Sequence, residues 1–156
     1  MTTQRYDLKT SPLFLAIELG KNDAALQHLE VQQDQLEIQD LDGNTPLIRV
    51  GCLGNLALTQ ALLQRGADVN AKNDIGYTAL HFAAQEGHAA VAQQLLAKGA
   101  AVDALDDNGN TPLSNAVYNE KLDVVRLLLD AGADADLQNA HGVSPRELAD
   151  SMGVDL

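Results

Sequence analysis

A segment of about 33 residues recurs along the chain and constrains its fold more than any other feature. Its first landmark has three copies spaced by 33 residues: Gly43-Asn44-Thr45-Pro46-Leu47, Gly76-Tyr77-Thr78-Ala79-Leu80 and Gly109-Asn110-Thr111-Pro112-Leu113. The second landmark, a Gly-Ala pair, keeps the same spacing and begins at Gly66, Gly99 and Gly132. A fixed period of this length predicts a solenoid, in which each unit packs mainly on its neighbours.

Each unit carries start and stop signals for two helices. The threonine of the first landmark is a favourable N-cap, and the proline that follows it in two copies suits the first helical position. In the third unit, small apolar residues over Leu80–Ala84 predict a first helix that ends at Gly87. Val91–Leu96 then predicts a second helix, and Gly99 is placed as a left-handed residue after its end.

The period, with the motif T-A-L-H-F-A at Thr78–Ala83, resembles the ankyrin-repeat family, and the resemblance covers nearly all of the chain. It implies an all-α fold: an ankyrin-repeat solenoid of stacked helix-turn-helix units with β-hairpin fingers. The fingers correspond to polar stretches such as Asp103–Gly109, in which Asn-Gly is a tight-turn signal.

The repeat landmarks divide the chain into a polar N-terminal arm, 1–9, and a single ankyrin-repeat domain, 10–156. Within the domain we predict a degenerate N-terminal repeat (10–39), three full repeats (40–72, 73–105 and 106–138) and a C-terminal cap (139–156). The first repeat holds one extra residue, which we place between Val31 and Gln35. In the cap, Arg146 occupies a position that is leucine in the full repeats, so no further unit is expected to pack there.

Charge limits the class of partner. The formal net charge is −12, from 22 acidic residues against 10 Lys and Arg. Such a chain would repel a phosphate backbone, so we expect no nucleic-acid partner. A basic protein would be attracted; alternatively, the acidity serves solubility alone. We find no signal peptide or membrane span, and the single cysteine, Cys52, fits a cytoplasmic protein.

The sequence indicates no catalytic residue, no cofactor and no metal site, and hence no enzyme. His81 and His88 belong to the repeat motif, and we expect His81 to form a hydrogen bond that ties a loop to the next repeat. Cys52 lacks a partner that would lower the pKa of its thiol. The acidic cluster at Asp106–Asp107 lacks the ligand spacing of a calcium loop, and the glycines do not form a nucleotide-binding motif.

As the resemblance implies, the chain would bind another protein on a concave surface made of finger tips and inner helices. We predict the partner-binding residues from the positions at which the copies differ most. They are Leu41, Asp42, Asn44, Cys52, Leu53, Asp74, Ile75, Tyr77, Gln85, Glu86, Asp107, Asn108, Asn110, Tyr118 and Asn119. Tyr77 and Tyr118 are the expected apolar anchors, and the acids would steer a basic partner. Alternatively, these side chains are tolerated at half-exposed sites or pack on neighbouring fingers.

Two roles fit such a binder. One is a stand-alone inhibitor or immunity-type protein that occludes a basic enzyme, and the other is an adaptor that joins two proteins. The chain is expected to be a monomer, with Phe14 and Leu15 as contacts if its N-terminal end self-associates.

Overall fold

The computed structural model describes residues 5–156, which fold into nine α-helices and one pair of very short strands. The helices are α1 (Pro12–Glu18), α2 (Asn22–Val31), α3 (Pro46–Leu53), α4 (Leu56–Gln64), α5 (Ala79–Glu86), α6 (Ala89–Ala97), α7 (Pro112–Tyr118), α8 (Leu122–Asp130) and α9 (Pro145–Met152). The strands are β1 (Arg5–Tyr6) and β2 (Gln39–Asp40). The predicted all-α solenoid is confirmed.

The helices begin and end where the local chemistry predicts. The N-caps of α3, α5 and α7 are Thr45, Thr78 and Thr111, and each hydroxyl accepts a hydrogen bond from the backbone N–H three residues later. Ser11 and Ser144 cap α1 and α9 in the same way. At the other end, α5 stops at Gly87, whose φ of +80° lies in the left-handed region that glycine adopts without strain.

The helices form two layers. The odd-numbered helices α1 to α9 pack side by side as an inner layer, and the even-numbered helices α2 to α8 form an outer layer behind them. Leucine, valine and alanine fill the space between the layers, including Leu80, Leu95, Leu113 and Leu128, which are fully buried. The core is therefore continuous from repeat to repeat, as a solenoid requires.

The fingers are hydrogen-bonded turns, and residues 5–156 contain no strand pair within any finger. In the third repeat the backbone N–H of Asn73 donates to the carbonyl of Tyr77 over 2.9 Å, and this pair closes a five-residue loop. Each finger is therefore a tight hairpin turn closed by one backbone hydrogen bond, without an assigned strand pair of its own. Neighbouring finger tips are also linked: Asp74 N–H donates to the Asp42 carbonyl at 3.1 Å, and Asp107 N–H to the Ile75 carbonyl at 3.1 Å.

The residues that precede the first repeat lie on the solenoid. Arg5–Tyr6 pairs in parallel with Gln39–Asp40, the segment that leads into the first finger. The described part of the polar arm is thus held against the repeats, because the backbone of Arg5–Tyr6 pairs with that of Gln39–Asp40. Residues 1–4 of the arm lie outside the described residues.

Both ends of the solenoid differ from the full repeats. A 3₁₀ turn at Gln33–Gln35 occupies the place predicted for the extra residue. Phe14 is fully buried, so the prediction that it could contact a second copy is wrong, whereas Leu15 is 39% exposed. At the other end Arg146 is exposed and its guanidinium donates to Asp136 at 2.6 and 3.2 Å, which places a charged pair on the cap.

Candidate interaction surface

The predicted partner-binding residues lie on the finger tips and at the carboxyl-terminal ends of the inner helices. Three apolar side chains among them are largely exposed: Leu41 by 63%, Ile75 by 54% and Tyr118 by 69%. Leu53, at the end of α3, is exposed by 43%. Large apolar groups left in water on one surface are a mark of protein-binding sites.

Two grooves run between the fingers and the inner helices, and together they contain nine of the fifteen predicted residues. The charged groove, of about 310 Å³, contains Asp42, Asn44, Asp74 and Ile75 beside Arg49, Asn73 and Phe82. The amide groove, of about 560 Å³, contains Tyr77, Gln85, Asn110, Tyr118 and Asn119 beside Ser114, Asn115, Asn139, His141, Val143 and Leu148. The predicted residues outside both grooves are Leu41, Cys52, Leu53, Glu86, Asp107 and Asn108.

The charged groove is partly neutralised by the chain itself. The guanidinium of Arg5 donates to both carboxylate oxygens of Asp74, at 2.5 and 2.8 Å. This contact holds the pKa of Asp74 below its ordinary value. Arg49 likewise pairs with Glu18 and lies 3.8 Å from a carboxylate oxygen of Asp40. Asp74, predicted to steer a basic partner, is therefore already engaged.

Three other predicted acids remain available to a partner. Asp42, Glu86 and Asp107 are exposed, and none of them forms an ion pair within residues 5–156. Asp42 and Asp107 lie on the fingers of the second and fourth repeats and Glu86 lies at the end of α5, so negative charge is distributed along the surface.

Asn44 and Asn110 have structural partners. Asn44 is buried; its Nδ2 donates to a carboxylate oxygen of Asp40 at 2.9 Å, and its Oδ1 accepts from Asn73 Nδ2 at 2.9 Å. The side chain of Asn110 accepts from Asn139 Nδ2 at 2.8 Å, so it too joins one finger to the next. Both amides form hydrogen bonds that fix the geometry of the fingers. Because Asn44 is also buried, it offers little accessible surface to a partner.

The two tyrosines occupy different environments. Tyr77 is half-buried: its ring stacks on His81, with centroids 5.1 Å apart, and meets the edge of Phe82 at 5.0 Å. Burial raises the pKa of the Tyr77 hydroxyl, and Asn115 beside it acts in the opposite direction. Tyr118, the last residue of α7, is exposed. Tyr118 therefore offers more of its ring to a partner than Tyr77 does.

His81 acts as predicted, by joining two repeats. Its ring is fully buried, Nδ1 accepts from the Thr78 backbone N–H at 3.2 Å, and Nε2 lies 3.1 Å from the Asn110 carbonyl. Because Nδ1 accepts, Nε2 must carry the proton and donate, so the ring is neutral. Burial lowers the pKa of His81, in agreement with this state.

The other side chains considered for chemistry are either unreactive or structural. Burial raises the pKa of the Cys52 thiol, which disfavours the nucleophilic thiolate. His88 Nε2 lies 3.0 Å from the Cys52 carbonyl oxygen and so links α3 to the third repeat. Asp106 accepts the backbone N–H groups of Asn108 and Asn110, both at 2.8 Å, and thereby shapes its finger.

The described residues contain no group of three or more His, Cys, Asp or Glu placed to hold a metal ion. Over the same part of the chain, none of the helices has the length and apolar character needed to cross a membrane.

Comparison with protein-family models settles the family. A model described as ankyrin repeats, three copies, matches residues 50–139, which is more than half of the chain. The chain belongs to the ankyrin-repeat family. Ankyrin repeats form protein–protein interaction modules, and modules of this type are not enzymes.

Curated relatives share the repeats over part of their length. An ankyrin repeat protein of Neisseria meningitidis serogroup B is 43% identical over 61 residues, which are 39% of this chain and 24% of that protein. Dauer abnormal formation protein 25 of Caenorhabditis elegans is 36% identical over 88 residues, 56% of this chain and 22% of its own. Human inversin is 40% identical over 73 residues, 46% of this chain and 7% of its own. The chain thus covers less than a quarter of each of these relatives.

Comparison of the repeats in the sequence did not predict three residues at or beside the two grooves: Arg5, Arg49 and Asn115. Arg5 precedes the first repeat, so it has no equivalent residue in the other repeats with which it could be compared. Arg49 and Asn115 occupy equivalent positions in α3 and α7, and the residue type at this position varies from repeat to repeat. That variation could have marked the position as a candidate for binding. The other two repeats have Phe82 and Leu148 there, and apolar residues at this position indicate core packing. The position was therefore not predicted to be part of the surface.

Proposed function

We propose that this ankyrin-repeat chain is a non-enzymatic binder that holds a protein with a basic surface on its concave face. The observation that carries the proposal is the exposure of three apolar side chains, Leu41 and Ile75 on finger tips and Tyr118 at the end of α7, together with exposed acids. Amphipathic and apolar anchors supply most of the binding free energy at protein interfaces. The acids Asp42, Glu86 and Asp107 supply a negative field that raises the rate of encounter with a positive partner.

The rigidity of the surface supports this role. The finger tips are joined by backbone hydrogen bonds at 2.9 to 3.1 Å, and part-buried side-chain pairs such as Asn44 with Asn73 hold the fingers in register. A partner therefore meets a surface whose ordering has already been achieved during folding, and less conformational entropy is lost on binding.

A pre-organised surface of this kind suits an inhibitor or immunity-type protein that covers part of a basic enzyme. An adaptor would hold a second protein elsewhere on the solenoid at the same time. The two roles give different results when the partner is isolated. An inhibitor silences the enzyme it binds, whereas an adaptor retains a second protein when the concave face is altered.

The contribution of charge can be tested by capture from a lysate of the native cell. The bait carries Asp42→Asn, Glu86→Gln and Asp107→Asn, and is compared with the unaltered chain. We expect a basic protein to be recovered by the unaltered chain and lost, or reduced about tenfold, with the neutralised surface, because steering and local attraction weaken together. The same protein should be lost as the salt concentration rises.

The matched control neutralises three exposed acids on the outer helices: Glu30→Gln, Asp123→Asn and Asp130→Asn. It changes the net charge by the same amount and should recover the partner as well as the unaltered chain does. Equal losses in both variants would assign the effect to net charge alone. Recovery of only neutral or acidic partners would contradict the proposal of a basic partner.

A further inference from the structure

The N-terminal arm of the chain places a cation on the finger tips. The guanidinium of Arg5 donates to both carboxylate oxygens of Asp74, at 2.5 and 2.8 Å, and to the carbonyl of Leu41 at 3.3 Å. Leu41 lies on the finger of the second repeat, and Asp74 lies on the finger of the third and lines the charged groove. One arginine side chain from the arm therefore spans two neighbouring fingers beside this groove.

The finger of the third repeat does not need this cation for its shape. The residue equivalent to Asp74 in the next finger is Asp107, which forms no ion pair within residues 5–156. The backbone N–H groups of Asp74 and Asp107 nevertheless form the same bond to the preceding finger, each at 3.1 Å. The ion pair with Arg5 is therefore an addition to a finger that forms without it.

The arm does not depend on Arg5 for its position either. The backbone of Arg5–Tyr6 pairs with Gln39–Asp40, and the side chains of Tyr6 and Leu8 pack on the core. The side chains of Arg5 and Asp74 are 35% and 50% exposed, and an exposed ion pair contributes little to the stability of a fold. The Arg5–Asp74 pair can therefore open while the rest of the arm stays in place.

An ion pair of this kind competes with a ligand from outside the chain. The anchors at Tyr6 and Leu8 keep Arg5 close to Asp74, so its effective concentration there far exceeds that of a free partner. One guanidinium engages both carboxylate oxygens of Asp74, so a second arginine cannot form the same two-bonded pair at the same time. A lysine ammonium does not match the two oxygens in this way.

We propose that the Arg5–Asp74 pair is autoinhibitory: Arg5 occupies the place of an arginine of the basic partner, and the partner must displace Arg5 in order to bind Asp74. The pair lowers the apparent affinity in proportion to the fraction of chains in which Asp74 is free. It also favours a partner that presents arginine over one that presents lysine, because arginine restores the two-bonded pair. This inference rests on the proposed function and adds regulation to the same surface.

The pair itself can be measured without a partner. The guanidinium of Arg5 holds the pKa of Asp74 below its ordinary value. In a titration followed by carbon NMR of the side-chain carboxyl groups, Arg5→Gln should raise the pKa of Asp74, and Lys9→Gln should not. Lys9 is the matched control, because it is an exposed cation of the same arm without an ion pair in the described residues. An Asp74 pKa that Arg5→Gln leaves unchanged would overturn the inference.

Competition is tested with two synthetic peptides, hexa-arginine and hexa-lysine, whose binding to the full chain is measured by fluorescence anisotropy at low salt. Arg5→Gln should bind hexa-arginine about fivefold more tightly than Lys9→Gln does, since both variants remove one positive charge and only Arg5→Gln frees Asp74. The gain should be smaller with hexa-lysine. In a chain that carries Asp74→Asn, the difference between Arg5→Gln and Lys9→Gln should disappear, because the site of competition is missing.

Three results would overturn the autoinhibitory pair. They are equal affinities of Arg5→Gln and Lys9→Gln for hexa-arginine, a difference between them that persists with Asp74→Asn, and a midpoint of thermal unfolding several degrees lower for Arg5→Gln than for Lys9→Gln. The last result would show that the pair is structural.

The proposed function fails on a different comparison, which does not involve Arg5. Neutralisation of Asp42, Glu86 and Asp107 should weaken the binding of hexa-arginine more than neutralisation of three acids on the outer helices. Equal weakening would contradict the proposed function even if Arg5→Gln binds more tightly than Lys9→Gln. No binding of hexa-arginine by any of these chains would overturn both.

Discussion

At the scale of single residues, His81 shows how one side chain can couple two repeats. Its neutral ring accepts from Thr78 N–H within its own repeat and donates to the carbonyl of Asn110 in the next. Protonation would turn Nδ1 into a donor that faces another donor, so the contact exists only in the neutral state. The stability that His81 gives to the contact between the third and fourth repeats therefore depends on pH.

His81→Gln should lower the free energy of unfolding by about 1–3 kcal/mol at pH 7.5, because the Thr78 N–H and the Asn110 carbonyl lose a buried partner. In the unfolded chain the imidazole binds a proton as pH falls through about 6.5. In the folded chain burial lowers the pKa of His81. Between the two pKa values the unfolded state holds more protons, so the contribution of His81 is complete above about pH 7 and is lost as pH falls.

Urea unfolding of both proteins between about pH 7.5 and pH 5 measures the effect. The difference in unfolding free energy between them should narrow as pH falls, even though titration of the many acids changes both proteins. A difference that stays constant or widens over this range would contradict the assigned ring state.

Position 44 and its equivalents show what residue-level comparison could and could not predict. The copies differ there, with Asn44, Tyr77 and Asn110, and the sequence therefore marked all three as variable content. The two asparagines are framework, because their amides bond to neighbouring fingers, and Tyr77 packs on His81 and Phe82. These roles depend on which side chain the adjacent repeat presents, and a single repeat does not contain that information.

At the scale of elements, the spacing of the inner helices depends on small residues at their contacts. Gly51 in α3 faces Ala79 at the start of α5, and a Cβ added at Gly51 would lie 3.1 Å from the Ala79 Cβ and 3.2 Å from its carbonyl oxygen. The equivalent residues in α5 and α7 are Ala84 and Val117, so the closeness of this helix pair is specific to the second and third repeats.

Gly51→Val should lower the free energy of unfolding by about 1–3 kcal/mol, because the branched side chain forces α3 and α5 apart in a packed core. Ala57→Val on the exposed face of α4 is the control, and it should cost at most about 0.7 kcal/mol through helix propensity. Chemical denaturation of both variants provides the comparison. A Gly51→Val chain as stable as the Ala57→Val chain would show that the two inner helices can separate freely.

The elements were predicted well because their signals are local. Threonine caps, glycine stops and apolar stripes act within about one helix, so their positions could be read from the chain. Two features involve distant partners and were missed: the pairing of Arg5–Tyr6 with Gln39–Asp40, and the backbone bonds between neighbouring finger tips. Both depend on how repeats stack, which the spacing of landmarks does not specify in atomic detail.

At the scale of the whole molecule, the net charge of −12 is spread unevenly over the surface. Arg5 engages Asp74, and Arg49 engages Glu18, so part of the charged groove is neutral overall. The exposed acids Asp42, Glu86 and Asp107 lie outside the amide groove, whose lining contains no Asp, Glu, Lys or Arg, and the apolar side chains of Ile75 and Tyr118 are exposed. Under the proposed function, we expect a partner that is positively charged at the edge of the interface and apolar where it contacts Ile75 and Tyr118.

The measurement that tests the central claim most directly is affinity capture by a Tyr118→Ala/Ile75→Ser chain. Its control is Leu122→Ser, which removes an apolar side chain of comparable exposure, 46%, from the outer helix α8. Tyr118→Ala alone should cost about 2 kcal/mol of binding free energy if the residue is an anchor. We predict that the protein recovered by the unaltered chain is also recovered by Leu122→Ser and is lost with the double variant. Equal recovery by the double variant, or loss with Leu122→Ser alone, would contradict binding on the concave face.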